Sequence, residues 1–166
     1  MKNLILLSAL ALGGCGPSET SDVSYNLTET CSTADVPYDT APEFQGFVKG
    51  FYVDAMAHSE KFCIVLASVK FGTDAPLGKA DNGDIIGLCD DQHNVRIWRP
   101  WWNQASEIAK EAVIYHELGH CVLGLEHAKQ DTLNFMTPEI PGDYDLLENW
   151  NLLVTKLFNK DMSLQD

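Results

Sequence analysis

His116, Glu117 and His120 stand in the spacing H-E-x-x-H, and these residue types at that spacing could carry out metal-assisted hydrolysis. On a helix, residues four apart lie one above the other, so the imidazoles of His116 and His120 can converge on one ion. Glu117, one step round the helix, can reach a water on that ion. In this arrangement two neutral imidazoles bind Zn²⁺ and the glutamate is the general base on the bound water. Gly124, followed three residues later by His127, supplies a helix stop, a turn and a third nitrogen. The same motif occurs on surface helices that hold no metal. This helix is apolar on most sides, which leaves two histidines few other partners and favours the metal reading.

The elements that must position these residues are legible around them. Ser106 and Glu107 offer a cap and a negative charge at the amino end of a proline-free run from Ile108 to Leu123, and Gly124 is placed to stop it. Upstream, Glu43 to His58 places Phe44, Phe47, Val48, Phe51, Tyr52 and Ala55 at helical spacing. Phe62 to Phe71 is a β-rich run. Asp84 to Cys89 and Asn94 to Trp98 read as two short strands separated by the turn Asp90-Asp91-Gln92-His93. Downstream, Leu146, Leu147, Trp150, Leu153, Val154, Leu157 and Phe158 are spaced as on a helix with one apolar face. A helix, several strands and then the histidine-bearing helix define an α+β fold, a small twisted sheet with an active-site helix and a C-terminal helix.

His116 to His127 resembles the metzincin signature H-E-x-x-H-x-x-G-x-x-H, and most closely its matrixin form. Cys121, Val122 and Leu123 stand between His120 and Gly124 where the family has two residues. One extra helical residue rotates the chain exit by about 100° and advances it by about 1.5 Å. Counted from His120 the third-ligand position is Glu126; counted from Gly124 it is His127. His127 is favoured because the turn at glycine should set the register that follows. Glu139 or Glu148 would serve in a gluzincin-like arrangement. Metzincins also carry a methionine in a tight turn beneath the zinc, and Leu133-Asn134-Phe135-Met136-Thr137-Pro138 resembles that turn, with Met136 nine residues after His127. The resemblance implies a zincin-like catalytic domain over residues 42–166, one catalytic Zn²⁺ and a polypeptide substrate.

The amino end resembles a bacterial lipoprotein signal: a positive start at Lys2, an apolar stretch from Leu4 to Leu12, and Leu12-Gly13-Gly14-Cys15. This implies a signal peptide over residues 1–14, acylation of Cys15, anchoring to the lipid bilayer, and a tether over residues 15–41 rich in Ser, Thr, Asp, Glu and Pro. Gly16, rather than aspartate, favours an outer-membrane location in the cell envelope. Apart from Cys15, four cysteines remain: Cys31, Cys63, Cys89 and Cys121. Two disulfides fit an oxidising compartment, and of three pairings Cys89 with Cys121 and Cys31 with Cys63 is preferred. Cys89 ends a strand expected to run beside the histidine-bearing helix, whereas Cys121 points away from a metal held by His120.

Trp98, Trp101 and Trp102 lie just before that helix and could wall a substrate cleft, although core packing competes for one or two of them. Tyr144 is an outside candidate for stabilising an oxyanion, as tyrosines near the methionine turn do in some metzincins. His58 and His93 are spare histidines, for which hydrogen-bonded roles are favoured over a second metal. Asp74, Asp81 and Asp84, with Asn82 and Gly83, could hold Ca²⁺ or be simply solvated. The chain carries 24 acidic and 11 basic residues, which repels nucleic acid and gives modest attraction for basic or neutral polypeptides. A monomer is expected. Two other functions remain open at this level: a zinc hydrolase of cell-wall peptides or other amides, and a non-catalytic zinc-containing binding lipoprotein.

Overall fold

The structure is a computed structural model that describes residues 39–58, 68–80, 83–129 and 132–159. In chain order it comprises α1 (Pro42–His58), β1 (Ser68–Phe71), β2 (Lys79–Ala80), β3 (Gly83–Asp84), β4 (Gly87–Cys89), β5 (Asn94–Ile97), α2 (Arg99–Trp102), α3 (Glu107–Leu123) and α4 (Asp143–Phe158). The fold is α+β. A mixed three-stranded sheet has the order β1-β5-β4, with β1 parallel and β4 antiparallel to β5, and β2 and β3 form a separate two-stranded ribbon.

The central strand β5 alternates as a half-buried strand must: Val95 and Ile97 are buried while Arg96 is exposed. Helix α1 turns Phe44, Val48, Phe51, Tyr52 and Ala55 inward, the face its spacing marks. Helix α3 is the hub. Residues 112–119 along it are all buried, because α1, α4 and the sheet each cover part of its circumference. Two aromatic clusters fill the space: Phe44, Phe71 and Trp102 on one side, and Phe51, Tyr115, Phe135 and Trp150 on the other. The Tyr115 hydroxyl donates to Asp54 Oδ2 at 2.7 Å, which gives its buried O–H a partner. Nearby, burial and the Asp54 charge push the Glu111 carboxyl above its ordinary range.

Several boundaries differ from the sequence expectation. The run Asp84 to Cys89 is split into β3 and β4, interrupted at Ile85 and Ile86. The Asn94 strand ends at Ile97, and Pro100 at the start of α2 coils Arg99 to Trp102 into a helical turn. Ahead of Pro42, Thr40 is already packed: it bridges to Val69, with the Ala41 N–H donating to Val69 O at 2.9 Å. The signal segment 1–14, Cys15, Cys31, Cys63 and most of the tether and of the Phe62 to Phe71 run lie outside the described residues.

Candidate metal centre

Helix α3 starts and stops where its end residues dictate. The Ser106 hydroxyl accepts from the Ala109 N–H at 3.2 Å and donates to Asp143 Oδ1 at 2.9 Å, so one side chain caps α3 and ties it to the start of α4. At the other end Gly124 takes the left-handed conformation, φ 63 and ψ 32, and the Leu125 N–H returns to Gly119 O at 3.0 Å. That reversal carries the following residues back across the face that holds His116 and His120.

The two helix histidines are oriented by backbone carbonyls. His116 Nδ1 lies 2.7 Å from Phe135 O, and His120 Nδ1 lies 2.6 Å from Leu125 O. A carbonyl only accepts, so each Nδ1 carries the proton and each Nε2 is left with a bare lone pair. Those Nε2 atoms are 3.1 Å apart, and His127 Nε2 is 3.3 Å from that of His116. Ligand atoms of the three histidines all lie within 4.8 Å of one another. Lone pairs facing each other at this range repel unless a cation draws them together. A tetrahedral ion with imidazole nitrogens at about 2.0–2.1 Å separates neighbouring nitrogens by about 3.3 Å, so the donor set fits a metal ion. Burial lowers the pKa of His116 to about 4 against the opposing hydrogen bond to Phe135, with smaller lowering contributions from His120 and His127; His127 is lowered too, by burial and then by His120. Both shifts favour the neutral ligand form.

His127 is the third member of the group. Glu126 and Glu139 line the same cleft without joining it, and Glu148 is exposed on α4. The chain on either side of His127 is pinned: Leu125 O receives the His120 Nδ1–H, and the Ala128 N–H donates to Met136 O at 2.8 Å. Met136 is buried in a turn whose N–H is held by Asn134 Oδ1 at 2.9 Å. The turn lies directly under α3, since a β-carbon added to Gly119 would sit 2.4 Å from Met136 Sδ. Phe135, one residue before, supplies the carbonyl that orients His116.

Glu117 is 4% exposed. Burial pushes its carboxyl up to about 8, opposed by a hydrogen bond from the Cys89 backbone N–H. Cys89 belongs to β4, the edge strand of the sheet, and is bonded to Cys121 of α3, with Cα atoms 5.6 Å apart. The bond fastens β4 beside the histidine-bearing helix.

A cleft of about 980 Å³ opens over His116, Glu117, His120 and His127. One wall is β4; Val113, Pro138 and Ile140 add apolar lining, and among the described residues no lysine or arginine lines it. Of the aromatic residues expected there, Trp101 alone contributes. Trp102 is 6% exposed and packs on Phe44 and Phe47 in the core. Trp98 donates its Nε1–H to Asp74 O at 2.9 Å. Successive residues on the α2 turn diverge by about 100°, so neighbouring tryptophans cannot share a wall. Tyr144 is 75% exposed on α4 and does not line the cleft. His93 places Nδ1 2.7 Å from Cys121 O, and His58 places its own 2.8 Å from Asp54 O, so both are hydrogen-bonded. In the proposed calcium loop, Asp84 pairs with Lys79 and Asp81 and Asn82 lie outside the described residues.

The backbone partners Phe135 O, Leu125 O and the Cys89 N–H carry no residue-type signal, so nothing in the sequence marked them. Fold and site together define an α+β protein with a three-histidine centre able to hold a metal ion. Comparison with protein-family models, curated proteins and solved structures finds no match to this chain.

Proposed function

We propose that this protein is a zinc-dependent endopeptidase of the zincin class, matrixin-like, with one extra residue before the glycine turn. The observation that carries the reading is the convergence of three imidazole nitrogens beside a buried glutamate in an open cleft. A Zn²⁺ ion held by His116, His120 and His127 would supply an open coordination position and Lewis acidity toward a scissile carbonyl. The charge of a bound cation would favour the ionised form of Glu117 over the raised value of the metal-free site, and in that form Glu117 takes a proton from the attacking water and passes it to the leaving amine. The Cys89 N–H holds that carboxylate in place. Among the described residues the edge strand β4 pairs with β5 alone, which leaves backbone groups on its other side for an extended polypeptide to join. Met136, beneath Gly119, supports the floor under the ligands.

The lipoprotein-like amino end supports attachment to a bacterial envelope through acylated Cys15, with the catalytic part outside the bilayer. Among the described residues no helix is long and apolar enough to cross a membrane.

Metal analysis and peptide cleavage test the reading together. The purified protein should carry one zinc per chain and cleave an unstructured polypeptide, and chelation should abolish cleavage. Glu117→Ala should keep the metal and lower kcat by about 10²–10⁴-fold; unchanged cleavage would refute the mechanism. His127→Ala should lose metal affinity while Glu126→Gln keeps it, and the opposite order would refute the ligand set.

A further inference from the structure

We propose that Gly87 is a positioning residue for Glu117, present to leave room for the carboxylate; its catalytic consequence rests on the base role proposed above. Strand β4 crosses directly over the Glu117 side chain. A β-carbon built on Gly87 would lie 2.3 Å from Oε1, 2.8 Å from Cδ and 2.9 Å from Cγ of Glu117. All three distances are closer than non-bonded carbon and oxygen atoms approach. Backbone conformation does not call for glycine here, since the positive-φ glycines are Gly83 and Gly124. Space is the reason that remains.

Neither side of this contact can easily move. Glu117 is buried and follows the ligand His116 on the middle of α3. The strand is paired with β5, Gly87 opposite Ile97 and Cys89 opposite Val95, and is tied to α3 by the Cys89–Cys121 bond. The contacts at Gly72 and Gly78 are instead made first with terminal methyl carbons, Leu77 Cδ2 and Ile85 Cδ1, which can swing aside. Gly87 and the Cys89 N–H therefore act as one device: the first leaves the carboxylate its place against the strand, and the second holds it there. A methyl group at position 87 must displace the carboxylate or lift β4 and break the Cys89 hydrogen bond.

A cycle of Gly87→Ala with Glu117→Asp tests this. Gly87→Ala should retain one zinc per chain and a near-normal KM while kcat falls by about 10²-fold, the scale of a 1 Å misplacement. In the Glu117→Asp background, where the carboxylate is withdrawn by one methylene, the same change should cost several-fold less. A kcat for Gly87→Ala close to wild type, or an equal loss in both backgrounds, would overturn the proposal. Thermal midpoints give a readout independent of activity: Gly87→Ala should lower the midpoint of the wild-type protein and leave that of Glu117→Ala unchanged or raised. If the wild-type protein cleaves no peptide, the proposed function fails. The thermal cycle then decides the positioning role alone, and equal drops in both backgrounds overturn it.

Discussion

Replacing both Cys89 and Cys121 with alanine should remove a large share of the stability of this domain. The bond spans a sequence separation of 32 residues. In the chain-entropy treatment, closing a loop of that size lowers the entropy of the unfolded chain by about 12 cal/mol/K, or about 4 kcal/mol at 25 °C. A domain of this size has a total stability of about 5–15 kcal/mol. Each kcal/mol moves the thermal midpoint by about 3–5 °C, so the double variant should melt about 10–20 °C lower. Cys121 is 3% exposed, and losing its sulfur from the core adds to the drop. Circular dichroism melts without reductant measure the effect, and peptide mapping of the unreduced wild-type protein checks that the two cysteines are joined. A double variant that melts within about 4 °C of wild type would refute the reasoning, showing that packing of β4 on α3 constrains the chain without the bond.

Two further changes follow from the same structure. Gly124→Ala places a β-carbon on a residue at φ 63; it should cost about 1–2 kcal/mol and weaken zinc binding by misdirecting His127, as measured by thermal melts and chelator competition. Glu111→Gln should stabilise the protein at neutral pH. The folded-state pKa of Glu111 is raised from 4.5 by burial and Asp54, so its charged form opposes folding once the pH exceeds the unfolded value. The advantage of glutamine should therefore be present at pH 7 and vanish as the pH falls below about 4.5, where folded and unfolded carboxyls are both protonated. An advantage that persists at low pH would point to packing instead of charge.

Local rules made much of this protein legible. Helix α3 begins at Glu107 with its Ser106 cap and ends before Gly124 because capping and left-handed glycine act within a few residues. The inward face of α1 and the burial of Leu146, Leu153, Val154 and Leu157 on α4 follow from periodicity, whereas Leu147, read as part of the same apolar face, is 66% exposed because it lies about 100° round the helix from Leu146. Strand ends were less legible: β4 is three residues long and exists because β5 and α3 flank it, which no local pattern encodes.

For the site itself, residue order and spacing alone put His116 and His120 on one helix face and a turn after Leu123. Both depend on helix geometry and on one glycine. Spacing left Glu126 and His127 as rivals, because one extra residue changes the count from His120 and keeps the count from Gly124. The fold groups His127, and not Glu126, with His116 and His120 by pinning Leu125 to His120 and Ala128 to Met136. It likewise sent Trp102 into the core and left Trp101 at the cleft, since which face of a short helical turn is covered depends on what packs against it. The room for Glu117 at Gly87 and the hydrogen bond from Cys89 join residues about thirty positions apart, and contacts at that separation arise only when the sheet meets the helix.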